Sequence, residues 1–176
     1  MATNDYVFLT EWRVEAPREL IYDVLSDGAG YPRWWPEVYL SARVEEAPDG
    51  GDVGKRVHLH TKGRLPYTLK WTAETVRVDR PAGFEIRATG DFDGRGVWTF
   101  EQEGPVTRVL FDWRLRADKP IIRALSFALK PVFGWNHRWA MARGCERLRQ
   151  EVDGRLPTNP TNRHERDSSR SAGSAG

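Results

Sequence analysis

The chain has 176 residues, 39% hydrophobic and 30% charged, with a formal net charge of +2. That length suits one domain with its own core, and eight Trp, seven Phe and five Tyr exclude collagen-like and wholly disordered chains. A single cysteine excludes a disulfide framework and any cysteine-based zinc cluster. The most apolar short stretch, Ala124 to Leu129, is far short of the roughly 20 residues a membrane helix needs. The N-terminus MATNDYVFLTEW is too polar for a signal peptide, so the cytosol is the default address. From Gly154 onward four Arg face two acids, while basic and acidic residues balance before it. The body therefore lacks the electrostatic footprint of a nucleic-acid binder, and no nucleic-acid partner is expected.

Tyr6, Phe8, Thr10, Trp12 and Val14 alternate with polar residues, which predicts a strand with one buried face. Pro17 suits the first turn of a helix whose apolar stripe is Leu20, Ile21, Val24 and Leu25. Gly28 and Gly30 stop it, and Tyr31 to Pro36 can hold only a short turn or helix between two prolines. Six strands are then predicted: Val38–Glu46, Lys55–Lys62, Tyr67–Asp79, Gly83–Thr89, Gly96–Glu103 and Thr107–Arg116. Short Gly, Pro and Asp turns separate them, including Asp93-Gly94 and Gly104-Pro105, so the strands form an antiparallel meander. In the third of these, Leu69, Trp71 and Ala73 share a parity that Val76 and Val78 do not, which predicts a bulge near Glu74 or Thr75.

After Lys119-Pro120 the period becomes helical. Ile121, Leu125, Ala128, Val132, Trp135 and Trp139 trace one stripe, and Met141, Cys145, Leu148 and Val152 trace a second, rotated one. Either the helix is buried on more than one side or it bends, and Pro131 favours a bend. Gly154 ends it, and residues 154–176 read as a disordered tail. The expected fold is α+β, with seven curved antiparallel strands around one long C-terminal helix and two short helices after the first strand.

Three segments resemble the START-like, polyketide cyclase/dehydrase superfamily (SRPBCC, Bet v 1-like, helix-grip). They are IYDVLSDGAGYPRWWPEVY from Ile21 to Tyr39, GDFDGRGVWTFEQ from Gly90 followed by TRVLFDW from Thr107, and NHRWAMARGCERLRQEV from Asn136. The resemblance spans residues 5–153. It implies an elongated cavity between sheet and long helix for a hydrophobic ligand, in a family that includes aromatase/cyclases, ligand carriers and receptors. Fold of this kind does not by itself give function.

Eight tryptophans either fill a core or line such a cavity. Strand parity nominates Trp71, Trp98, Phe111 and Trp113 as walls, with Trp35, Tyr39, Tyr67 and Trp139 completing the expected ligand-binding set. A cyclase needs hydrogen-bond donors near the guest, for which Thr10, Tyr39, Thr61, Arg64, Tyr67, Arg95 and Asn136 are available. Arg64 and Arg95 lie in or beside turns and read as solvated. Asn136 is either a cavity-facing polar group or one satisfied at the bend after Pro131. His137 is a general base only if it reaches the cavity, and a surface position is the simpler expectation.

His58-x-His60 lacks a third ligand, and the Glu101/Glu103 and Asp91/Asp93 pairs fit an exposed sheet face, so neither metal binding nor paired-acid catalysis is expected. Cys145 reads as a small buried hydrophobe. No nucleotide-binding or nucleophile motif is present. The expected partner is a hydrophobic, aromatic or polyketide-like small molecule, bound and cyclised or dehydrated without cofactor. The competing reading is a non-catalytic carrier of a lipid or quinone. The chain is expected to be a monomer or homodimer.

Overall fold

The computed structural model describes residues 5–116 and 120–157, the final helix by its backbone alone over 120–130. Strand β1 (Asp5–Val14) is followed by helix α1 (Arg18–Ser26), a 3-10 turn (Gly28–Gly30) and helix α2 (Tyr31–Trp34). Six strands come next: β2 (Tyr39–Glu45), β3 (Arg56–Lys62), β4 (Thr68–Asp79), β5 (Gly83–Gly90), β6 (Asp93–Glu103) and β7 (Val106–Arg116). Helix α3 (Pro120–Arg155) ends the described chain. The strands form one antiparallel sheet in the order β1-β7-β6-β5-β4-β3-β2. Five hairpins carry the chain from β2 to β7, and β1 closes on β7, so β1 and β2 are opposite edges that α1 and α2 connect.

The hairpins follow local chemistry. Glu103 pairs with Val106 across Gly104-Pro105, and Gly104 sits at φ +61, a backbone conformation open to glycine without penalty. Two register shifts bend the sheet. One leaves Val76 as the extra residue between Thr75 and Arg77, next to the predicted position. The other, at Leu40 in β2, carries no break of parity in the sequence.

Several expectations need correction. Pro17 is the N-cap of α1, in extended conformation, rather than a first-turn residue. The buried face of α1 is Ile21, Tyr22, Val24 and Leu25, because the Tyr22 ring meets the edges of Phe84 and Phe100. Strand β6 begins at Asp93, so Asp93-Gly94 belongs to the ladder with β7. Helix α3 is assigned without interruption through Pro131. Its inward face is the second stripe, Met141, Leu148 and Val152, extended back through Gly144 and His137. Trp135, from the first stripe, is 44% exposed. Ile121, Leu125 and Ala128 of that stripe lie outside the described side chains, as does most of the expected tail, residues 158–176.

The core lies between the concave face of the sheet and the helices. It gathers Trp12, Val14, Ile21, Leu25, Phe100, Val109, Leu148 and Val152. The convex face carries the charge. Arg108 joins Glu11 and Glu101, Arg13 joins Glu103, and Arg56 joins Glu45 and Glu74. His58 belongs to the same face, set between Glu45 and Thr72. Each exposed pair contributes little stability. Together they commit Glu101 and Glu103 to arginine, while Asp91 accepts from the Lys70 amide at 2.8 Å, and no group of metal-ligating side chains occurs among the described residues.

One buried polar knot ties the entry of α1 to the β6–β7 hairpin. The Thr107 hydroxyl, fully buried, donates to the Ala16 carbonyl at 2.6 Å, and Gln102 Oε1 accepts from the Arg18 amide at 2.8 Å. Replacing Thr107 by valine keeps the shape but leaves the Ala16 carbonyl unpaired. Thr107→Val is expected to lower stability by about 1–3 kcal/mol in denaturant unfolding. An unchanged midpoint would mean that water reaches the Ala16 carbonyl.

Candidate ligand-binding cavity

The wall is built by strand register. Trp98 pairs with Phe111 across β6 and β7, and their rings stack with centroids 4.0 Å apart and planes at 16°. Phe111 in turn stacks on Trp113 at 5.4 Å, and Trp71 of β4 leans on Trp113 at 5.7 Å. Trp113 lies across Gly96, its partner in the register, where a Cβ would come within 2.8 Å of the indole. A larger residue at 96 would push the ring off the sheet. Thr61 accepts from Trp71 Nε1 at 3.2 Å, which satisfies the indole and fixes its tilt.

Helices supply the opposite side. Trp35, at the C-terminal end of α2, lies so close to α3 that a Cβ on Gly144 would approach its ring to 2.3 Å. Trp35 also meets Tyr39 at 5.1 Å and Tyr31 at 6.3 Å. Between these groups and the aromatic ladder is a cavity of about 140 Å³. Its described wall holds no Asp, Glu, Lys or Arg. A second, more polar pocket of about 390 Å³ adjoins it, sharing Gly28, Val57, Thr75 and Phe84 and bearing Asp23, Asp27, Asp52, Lys55 and Arg80.

The polar groups on the apolar wall are all neutral. The Tyr31 hydroxyl donates to the Leu25 carbonyl. Burial pushes the Tyr31 and Tyr39 phenols well above their ordinary range, so both keep their protons at neutral pH. His137 stacks on Phe8 with centroids 4.2 Å apart, and its buried Nε2 has no hydrogen-bond partner. Burial, with a smaller contribution from Arg138, pulls its pKa down to about 4. The imidazole is therefore uncharged at neutral pH.

Of the expected ligand-binding residues, Trp35, Tyr39, Trp71, Trp98, Phe111 and Trp113 line the cavity together. Tyr67 is 40% exposed before β4, and Trp139 packs half-buried against the core, so neither joins that wall. Of the candidate catalytic residues, only His137 reaches it, against the expectation of a surface position. Arg64 lies over the Trp135 ring at 5.5 Å, and its amide donates to Asn136 Oδ1 at 2.7 Å. Asn136 thus anchors the β3–β4 loop, which neither sequence alternative contained. Arg95 is a strand residue on the convex face, held by a bidentate bridge to Glu85 at 2.5 and 2.9 Å. Half-buried Cys145 has its thiol pKa raised by burial, which suits packing and not nucleophilic attack. Tyr31, Leu59, Phe84, Ile86 and Met141 line the cavity without having been singled out. Parity with Val57 marks Leu59, and the alternation of β5 marks Phe84 and Ile86.

Residues 8–153 match the model of a family described as polyketide cyclase / dehydrase and lipid transport. The fold is similar to solved structures of low sequence identity. The Zhui aromatase/cyclase from a Streptomyces species is 17% identical with a TM-score of 0.71, over 88% of this chain and 97% of that one. A START superfamily protein from Mycobacterium smegmatis is 16% identical with a TM-score of 0.67, over 85% and 99%. Norcoclaurine synthase from Thalictrum flavum, solved with dopamine and hydroxybenzaldehyde, is 15% identical with a TM-score of 0.58, over 88% and 90%. No curated protein matches the sequence. No described helix is long and apolar enough to cross a membrane.

The His137 environment sets a pH dependence. Its folded pKa, about 4, lies below the ordinary 6.5, so the unfolded chain binds the extra proton first. Stability is whole above pH 6.5 and falls as the pH drops toward 4, by about 3 kcal/mol in the limit. His137→Leu is expected to flatten this window in urea melts taken across the pH range. The same slope in the variant would place the imidazole in solvent.

Proposed function

The chain belongs to the polyketide cyclase / dehydrase and lipid transport family, and from that membership we propose that its cavity binds an uncharged aromatic or polyketide-like small molecule. The observation that carries the reading is the ladder Trp98–Phe111–Trp113–Trp71, facing Trp35 and Tyr39 across a space whose described wall holds no ionised side chain. Flat guests gain most from such walls. A volume near 140 Å³ takes about one benzene-sized ring. The guest then seats one ring at a time, and anything longer extends toward the mouth.

Confinement of that kind suits ring closure. An enol carbon held against a ketone carbon of the same chain forms the new C–C bond, the enol O–H gives up its proton as it becomes a ketone, and the attacked carbonyl's π pair moves to its oxygen, which takes up a proton. Loss of that hydroxyl with a neighbouring C–H proton releases water and leaves the unsaturated ring. Tyr39 offers a neutral O–H donor on the described wall for the carbonyl oxygen. The second reading, a carrier of a lipid, quinone or similar molecule, also has an observation behind it. His137, with a pKa of about 4, is a weak base at neutral pH, and no described carboxylate or lysine stands on the wall.

Native mass spectrometry of the protein from its own host, followed by extraction of the bound molecule, tests both readings. A polyketide or polycyclic aromatic is expected, whereas a fatty acid or quinone selects the carrier. With 1-naphthol as a probe, Trp71→Ala and Trp113→Ala are each expected to weaken binding roughly tenfold, the size of a lost aromatic contact. Trp12 packs behind the wall against Trp35 and Trp98. After correction for the folded fraction, Trp12→Ala is expected to cost less. Equal losses in all three would sink the wall assignment.

A further inference from the structure

Strand β1 is an edge, pairing with β7 on one side and with no other described strand. The residues on its convex face are Asp5, Val7, Leu9, Glu11 and Arg13. Leu9 is 76% exposed and Val7 58%. The same residues turn their N–H and C=O groups away from β7. Glu103 and Val106 close the two-residue hairpin as a bonded pair, so Val106 bonds β6 and Thr107 turns to β1. Its partner Val14 therefore faces β7, and the alternate residues, Arg13 to Asp5, face outward. Arg149 reaching the Arg13 carbonyl from outside at 2.9 Å agrees with that parity. Val7, Leu9 and Glu11 thus present main-chain donors and acceptors beside two large exposed apolar side chains.

Soluble proteins blunt such edges with bulges, short strands, lysine or proline. Strand β2 at the other edge is blunted: it has seven residues and a bulge at Leu40. Strand β1 has ten residues, an unbroken register, and no lysine or proline. Its charges are self-complementary about Leu9. In an antiparallel pair of β1 strands centred there, Leu9 faces Leu9, Val7 faces Glu11, and Asp5 faces Arg13. Moving the axis to Phe8 sets Asp5 against Glu11, two like charges. Moving it to Thr10 sets Leu9 against Glu11 and takes Asp5 out of reach of Arg13.

We propose that β1 is a homodimer interface, two chains joining edge to edge about Leu9 so that their sheets run on as one. The arrangement is isologous and closes on itself. It adds about six main-chain hydrogen bonds from Val7, Leu9 and Glu11. It covers Leu9 with its symmetry mate and Val7 with the stem of the facing Glu11.

Sedimentation of the full chain over a concentration series, with hydrogen exchange read at both ends, tests the proposal. A dimer is expected in which the Val7, Leu9 and Glu11 amides gain protection with concentration, while Phe8 and Thr10 are protected throughout. Leu9→Lys places like charges opposite one another and is expected to weaken the dimer roughly tenfold or more. Its thermal midpoint at low concentration serves as the folding control, and Val7→Glu, which sets a carboxylate against Glu11, repeats the test on the neighbouring pair. A monomer at every concentration, or a dimer indifferent to both substitutions, overturns the proposal. So does edge protection in a monomer that disappears when residues 158–176 are removed, because the tail is then the occupant.

Discussion

The seat of Trp35 on Gly144 sets the distance between α3 and the rest of the fold. The indole comes so near the helix that no side chain fits at position 144. From there Trp35 reaches Trp12 on β1, Tyr39 on β2 and the stacked ring of Trp34. The segment between the two prolines, Pro32 and Pro36, thereby clasps both edges of the sheet to the helix. Ion pairs flank the clasp on both sides. Arg33 holds Glu151 with two bonds at 2.8 and 2.6 Å, and Arg147 holds Glu37. Both carboxylates are drawn below their ordinary pKa by those arginines, and both stay ionised at neutral pH. Both arginines stay partly in solvent, which screens the pairs, while the ring against the glycine fixes the helix by direct contact. A void survives beside it because the helix rests on the indole and cannot settle further onto the sheet.

The two faces of the sheet divide the labour by parity. Strand alternation sends Trp98, Phe111 and Trp113 inward and Glu101, Arg108 and Arg95 outward, one position apart. On the convex face of β6 and β7, Arg95, Arg108 and Arg114 each have a carboxylate within reach. A chain with 30% charged residues can therefore keep its described cavity wall free of charge. The outer ladder matters to the site less through stability than through register. Slipping one strand by a single residue would bring an arginine into the aromatic stack.

The sheet was legible because period two and turn residues are local signals, and the strand order followed from short connections. The start of β6 is hidden in the sequence because Asp93-Gly94 looks like a hairpin turn. The actual connection is Asp91-Phe92, and Phe92 turns in against Trp71 and Trp113. Arg95 then moved from a turn to a strand. The face of α3 was harder for a different reason. Two of its inward positions are His137 and Gly144, which a search for apolar spacing passes over. Trp135 counts as apolar and yet lies outward beneath Arg64. The residues that make the cavity, a glycine under Trp35 and another under Trp113, are defined by what stands opposite them across the fold. A single chain read in order does not carry that pairing.

The same tryptophans that mark a cavity in the sequence also occupy most of it. Aromatic walls built from β4, β6, β7 and α2 leave a space near one ring in size, and the described residues that bound it hold their protons or never carried any. Such a site selects by shape and by desolvation. A guest with a charge in the inner chamber would leave it unpaired, at a cost of several kcal/mol. An ionised end of the guest therefore has to remain at the mouth or in the adjoining pocket, where Asp52, Lys55 and Arg80 already keep a polar environment. His137 follows the same rule: burial keeps its imidazole neutral, and the described wall stays uncharged over the range in which a free histidine would titrate.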